Sequence, residues 1–141
     1  MSGARAGTAR AGTGVLAVLN LWWGAWARFA PQNFFDTFPG FGHRWTAAYP
    51  PYNEHLVTDL GSTFLTLGFL LVVGAVTRQV RIRRLVLAAV VVFNALHLGF
   101  HAGHPGTMDR FDFGASVATL AGGVVVPIVL LLLEATRRRS T

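Results

Sequence analysis

The chain has 141 residues and a formal net charge of +6, with 52% hydrophobic residues, 13% charged residues and no cysteine. This length suits a single domain, and the composition is far more apolar than that of a soluble protein. The absence of cysteine excludes disulfide bonds, thiolate metal sites and thiol redox chemistry. The basic side chains are arginines that flank apolar stretches, which indicates contact with lipid headgroups and no nucleic-acid partner.

Four apolar stretches run through the chain, and each is close to the ~20 residues that a helix needs to cross the ~30 Å core of a bilayer. They cover residues 15–30, 56–77, 85–103 and 113–133. The stretches lack the strict alternation of barrel strands, and they leave no polar outer face for a soluble bundle. The sequence therefore predicts an all-α integral membrane protein, with residues 14–134 forming an antiparallel bundle of four transmembrane helices.

The arginines mark one side of this bundle. Nine of the twelve lie before the first stretch, between the second and third, or after the fourth. By the positive-inside rule, these segments face the cytoplasm. The N and C termini are therefore predicted to be cytoplasmic, in a multi-pass protein of a cell membrane, the plasma membrane of a bacterium.

Both ends of the chain are polar. Residues 1–13 are small and polar and are predicted to be a disordered basic tail, and residues 135–141 a basic cytoplasmic tail. The run Ala25-Trp26-Ala27 resembles a signal-peptide cleavage site, so removal of residues 1–27 is an alternative. Asn20 and the bulky tryptophans beside it favour a retained helix.

The extracytoplasmic segment of residues 31–53 is aromatic and rich in proline and glycine. It is too apolar for a free linker, so we expect it to fold over the outer end of the bundle as an interfacial plug. A lid over a substrate site is the alternative. Asn53 is predicted to cap the N-terminus of the second span.

Polar residues recur at helical spacing on three of the spans. We expect these faces to point inward, away from lipid. The second span carries His55, Asp59, Ser62 and Thr66; the third carries Asn94, His97, His101 and His104; the fourth carries Asp112, Ser116, Thr119 and Gly123. Gly99 and Gly103 are predicted to allow close helix contact beside the histidine face.

Asp59 and His97 are the predicted catalytic pair. Asp59 lies about 7 Å and His97 roughly 9 Å inside the outer ends of their spans, at 1.5 Å per helical residue. Similar depths would allow the two side chains to face each other. Ionisable groups at such a depth are costly to bury and are functional candidates for that reason.

One hypothesis for the polar site is a transition metal. His97 and His101, at positions i and i+4 of one helix, form a two-point chelate that His55 and Asp59 could complete. Imidazole and carboxylate ligands suit zinc, iron or copper. The residues in accessory positions are Glu54, Asn94, His104 and Arg28. The metal would act on a small or lipid-soluble substrate.

Three alternatives remain open for the same residues. Haem b would need His55 on one side of the ring and His97 or His101 on the other. An acid–base isomerase or hydrolase would use Asp59 or Glu54 with His97 on a lipid-soluble substrate. In a non-catalytic accessory or assembly protein, the polar cluster would be structural.

Overall fold

The computed structural model describes residues 2–135, with side chains from residue 4 onward. The described chain is mainly helical. Its helices are α1 (Ser2–Phe29), α2 (Pro31–Thr37), α3 (Glu54–Val76), α4 (Val80–Gly103) and α5 (Arg110–Ala135). Between α2 and α3 lie the two-residue strands β1 (Pro39–Gly40) and β2 (His43–Arg44), which pair antiparallel, and a 3-10 turn at Thr46–Ala48.

Three of the helices, α3, α4 and α5, are long and apolar enough to cross a membrane. They correspond to the second, third and fourth predicted spans and support a helical membrane protein. Helix α1, with 28 residues, is longer than these three, but it is not apolar enough to belong to this group. Its apolar half contains Asn20 and a tryptophan pair, and its first half is rich in glycine and arginine, which lowers its mean hydropathy.

Helix α1 begins at Ser2, so the segment expected to be a disordered tail is helical. Tertiary contacts account for the difference. The Arg10 Nε donates a hydrogen bond to the carbonyl of Ala75 at 3.1 Å, at the C-terminal end of α3 where helical carbonyls lack partners. Thr13 is fully buried. The predicted C-terminal tail lies, apart from Ala135, outside the described residues.

Glycine sets the packing of α1 against α3. A Cβ atom on Gly61 would lie 2.5 Å from the Arg28 backbone nitrogen, and one on Gly24 would lie 2.7 Å from that of Leu65. The two backbones therefore touch directly, as small residues allow in membrane helix pairs. The predicted close contact at Gly99 and Gly103 is wrong, because a Cβ at either position would meet nothing within 4 Å.

Helix α4 packs closely against α5, whereas contacts between this pair and the α1–α3 pair are sparser. Two buried apolar clusters pack the helices together, and the first of them joins all four long helices. The cluster near the α3–α4 turn contains Ala17, Leu71, Val86, Leu87, Val90 and Leu130. The cluster at the opposite end, which we call the loop end, contains Ala27, Phe34, Phe35 and Val57.

Residues 30–53 fold over the loop end of the bundle. Phe34 is buried and packs edge-to-face on Trp26, with ring centroids 5.4 Å apart, and it stacks on Phe38 at 4.7 Å. Such aromatic pairs add to the free energy of simple burial. The loop is therefore a packed cover, and Asn53, as expected, caps α3 by accepting a hydrogen bond from Leu56 N at 3.0 Å.

Candidate functional site

A cavity of about 320 Å³ lies inside the bundle, between the two helix pairs and beneath the loop. Its size is at the lower end of the range for sites that bind small molecules. Most of its wall is apolar. The polar residues that line it are Asn20, Thr46, Tyr49, Asn94, His97, His101, Ser116 and Thr119.

His97 lies on α4, on the cavity wall. Its ring stacks on Phe93 at 5.6 Å between centroids and lies 4.6 Å from the ring of His101. Neither ring nitrogen of His97 has a hydrogen-bond partner among the described residues, although polar groups inside proteins are rarely left unpaired. His97 is thus available to a bound molecule.

Tyr49 connects the loop to the histidines of α4. Its phenol oxygen lies 2.8 Å from Nδ1 of His101 and 2.6 Å from the backbone carbonyl oxygen of His104. A phenol has one proton, and the carbonyl can only accept, so Tyr49 donates to the carbonyl. His101 must then donate to Tyr49 from Nδ1, which leaves its Nε2 as an acceptor.

Asp112 attaches the loop to α5. One of its carboxylate oxygens lies 2.6 Å from Nδ1 of His43 and accepts a hydrogen bond from Nε1 of Trp45 at 3.2 Å. The position of Asp112 is itself set by a bond from its backbone N–H to the Asp109 side chain at 2.8 Å. Trp45 lines the cavity, so this attachment holds part of the cavity wall in place.

The structure brings together the predicted faces of α4 and α5. Asn94, His97 and His101 line the cavity from α4, and Ser116, Thr119 and Gly123 line it from α5. A Cβ on Gly123 would lie 3.1 Å from Oδ1 of Asn94, so the missing side chain leaves space for the asparagine.

The predicted face of α3 points the other way. His55 and Asp59 pair with each other, Nδ1 to Oδ2 at 3.2 Å, with side chains 85% and 65% exposed. Ser62 and Thr66 are exposed on the same side. The reason is the glycine contact with α1, because Gly61 and Gly68 occupy the opposite face of α3 and bury it.

The metal centre that the sequence suggests is not supported by this geometry. Within residues 2–135, no three histidine, aspartate or glutamate side chains come together as a group that could hold a metal ion. His97 and His101 are adjacent, but His55 and Asp59 do not line the cavity. Haem b would need His55 opposite His97 or His101, but His55 lies outside the cavity that His97 and His101 line.

Of the accessory residues, only Asn94 lines the cavity. The Arg28 guanidinium lies 5.9 Å from the centre of the Phe29 ring, outside the cavity lining. His104 stacks on Phe100 at 4.3 Å, and Glu54 is exposed in the first turn of α3. None of these three therefore faces a ligand inside the bundle.

Sequence reasoning missed Tyr49 as a site residue. The only feature that pointed to it was its place in an aromatic segment expected to cover the bundle. Its contacts with His101 and His104 bridge more than fifty residues of chain, which helical spacing cannot reveal.

No protein-family model matches the chain, and no match was found among curated proteins or solved structures.

Proposed function

We propose that the protein binds a small lipid-soluble molecule in the cavity between its helices. The observation that carries this proposal is a largely apolar cavity of about 320 Å³ whose wall holds His97, a histidine without a hydrogen-bond partner among the described residues. Apolar pockets with a few polar groups are typical of small-molecule sites, since the polar groups orient the ligand.

The membrane topology is part of the proposal. Helix α1 packs along the full set of glycines on α3 and would be the first of four spans, with the loop end extracytoplasmic and both termini cytoplasmic. Arg78, Arg81 and Arg84 lie at the α3–α4 turn, opposite the loop end, which supports this orientation. The membrane would be the plasma membrane of a bacterium.

A second candidate is acid–base catalysis on the bound molecule. The ring nitrogens of His97 have no hydrogen-bond partner among the described residues, and His101 presents Nε2 to the cavity after donating through Nδ1. These two imidazoles would exchange protons with the ligand. Asp59 has no part in this role, because it pairs with His55 outside the cavity.

Ligand-dependent stability tests the binding proposal. A molecule that binds only the folded protein raises its unfolding free energy by about 2.7 kcal/mol at one hundred times Kd. We would add naphthalene to protein in lipid nanodiscs and follow thermal unfolding by circular dichroism. Mass spectrometry of the solvent extract from the purified protein would identify any lipid-soluble molecule that it carries.

The controls use the same substitution at two leucines of α5. Leu120 lines the cavity, whereas Leu132 is exposed on the outside of the helix. Leu120→Trp should fill the cavity and abolish the rise in unfolding temperature, and Leu132→Trp should keep it. Equal stabilisation of all three proteins would show binding outside the cavity and would favour a non-catalytic accessory protein.

A further inference from the structure

We infer that the cavity selects a neutral molecule with a hydroxyl group, an alcohol or a phenol on an apolar body. This inference rests on the proposed function and specifies its ligand. It follows from the direction of the hydrogen bonds around the cavity. Most of the protic side chains in the wall already donate to the protein, and they leave acceptor atoms for the ligand.

The two asparagines show the pattern most clearly. The Asn20 amide nitrogen donates to the Leu16 carbonyl at 2.9 Å, and that of Asn94 donates to the Val90 carbonyl at 3.0 Å. A carbonyl oxygen cannot donate, so the amide nitrogen must be the atom that faces it. Each Oδ1 is therefore left as an acceptor, and neither accepts a hydrogen bond from a described residue.

The hydroxyl groups of α5 also donate their protons to backbone carbonyls. Ser116 Oγ donates to the Phe113 carbonyl at 2.9 Å, and Thr119 Oγ1 donates to the Ala115 carbonyl at 2.8 Å. A hydroxyl has one proton and two lone pairs, so each oxygen retains only the capacity to accept.

The contact between the loop and α4 leaves a further acceptor, on His101. Because Tyr49 donates to the His104 carbonyl, His101 donates from Nδ1 and keeps a lone pair on Nε2. The side-chain N–H of Trp45 already donates a hydrogen bond to Asp112. His97 can accept or donate, depending on its tautomer.

Fewer donors remain in the wall. The side chains of Trp23 and Thr46 line the cavity without a hydrogen-bond partner among the described residues, and each asparagine keeps a second N–H. Among the described residues, no carboxylate or arginine lines the cavity, so a charged ligand would lack a permanently charged counter-ion. The excess of acceptors around an uncharged site favours a ligand that donates and carries no charge.

The probes for this inference are naphthol, methoxynaphthalene and naphthalene, which share one ring system. Naphthol can donate a hydrogen bond, its methyl ether can only accept, and the hydrocarbon does neither. We expect the Kd of naphthol to be roughly five- to tenfold lower than that of the ether, because naphthol can form about one additional net hydrogen bond. Each Kd is measured in nanodiscs and corrected for partition into nanodiscs without protein.

Two variants link this preference to the wall. Asn20→Leu and Asn94→Leu each remove an acceptor while keeping a similar volume, so each should lower the naphthol preference and retain naphthalene binding. Two variants on different helices keep the test valid if one fails to fold. Equal binding of naphthol and its ether, abolished by Leu120→Trp, would overturn the hydroxyl inference but keep the proposed function. If Leu120→Trp changes the binding of none of the three probes, both ideas are wrong.

Discussion

The phenol oxygen of Tyr49 and Nδ1 of His101 lie 2.8 Å apart, and this contact joins the loop to the cavity wall. One side chain thereby links the position of the loop to the tautomer of a histidine in the candidate site. Because the same phenol also donates to the His104 carbonyl, its removal affects two partners at once.

Replacing Tyr49 with phenylalanine tests this link. Tyr49→Phe keeps the ring but removes the hydroxyl, so we expect a loss of about 1–3 kcal/mol in unfolding free energy, as for two net hydrogen bonds. His101 would then be free to adopt either tautomer, and the preference for naphthol over its methyl ether should decrease. Nitrogen NMR of labelled histidine would report the tautomer, and an unchanged His101 spectrum would contradict this account.

The loop should also respond to alkaline pH. Burial raises the pKa of Tyr49 above its ordinary value, so the folded chain holds this proton more tightly than the unfolded chain does. The contribution to stability is complete below the unfolded pKa of about 10 and is lost as the pH rises through the folded pKa. Unfolding temperature measured across this range should fall more steeply in the wild type than in Tyr49→Phe.

Tyr52 provides an internal comparison, because the chain contains only two tyrosines. Its pKa is raised by desolvation, then by the charges of Glu54 and Asp36. Phenolate absorbance of Tyr49→Phe should report Tyr52 alone, and that of Tyr52→Phe should report Tyr49 alone. Added salt should lower the Tyr52 midpoint toward its ordinary value and affect Tyr49 less, since charge interactions are screened. A Tyr49 midpoint at the ordinary value would contradict the burial argument.

A buried ion pair fastens α4 to α5 at the end opposite the loop. Arg83 Nη2 lies 2.8 Å from Oε1 of Glu134, and their side chains are 2% and 0% exposed. Arg83 also donates to the Gly74 and Thr77 carbonyls at the end of α3, and Arg84 donates to the Glu134 carbonyl. This pair therefore holds three helices together.

Breaking the pair on one side should be costly. Glu134→Gln leaves a buried guanidinium without its counter-ion, and removal of one partner of a buried pair costs about 3–5 kcal/mol. We expect a marked fall in unfolding temperature in nanodiscs. The double variant Arg83→Met with Glu134→Leu should recover much of the loss, because it buries no unpaired charge. A double variant as unstable as Glu134→Gln would show that the carbonyl contacts of Arg83 dominate instead.

The sequence predicts the spans better than the direction in which their faces point. Apolar length alone identifies α3, α4 and α5, and helical spacing correctly groups His97 with His101 and Asn94. Spacing shows which residues share a face, but a helix can rotate to turn that face inward or outward. For α3, the glycines that fit against α1 decide the rotation, and they turn Asp59 outward.

Arg83 shows a second limit of the sequence. It lies in a run of arginines beside a span, where the positive-inside rule predicts an exposed topological charge. The structure buries it because Glu134, fifty-one positions along the chain, reaches the same point. Pairings at such a separation depend on how α4 and α5 lie together, and helical periodicity within one span does not contain that information.

The glycine contact between α1 and α3 gives a further prediction. An added Cβ at Gly61 would meet the backbone of Arg28, which cannot rotate aside, so the helices must separate. We expect Gly61→Ala to cost about 1–3 kcal/mol, as overpacking does, measured as a fall in unfolding free energy. Gly99→Ala is the matched control, because a Cβ there meets nothing and alanine favours the helix. Equal effects of the two variants would show that the helices are not held by this contact.

The exposed pair of His55 and Asp59 on α3 allows a test of whether a ligand binds in the cavity or on the outer face of α3. If the cavity is the binding site, His55→Gln with Asp59→Asn should leave the Kd for naphthol unchanged, because neither side chain lines the cavity. His97→Gln should weaken naphthol binding, since it replaces an imidazole in the wall that has no hydrogen-bond partner among the described residues. Binding measured on both variants in the same nanodiscs gives the comparison. If the His55/Asp59 variant lost as much affinity for naphthol as His97→Gln, the ligand would bind on the outer face of α3. The cavity would then not be the binding site.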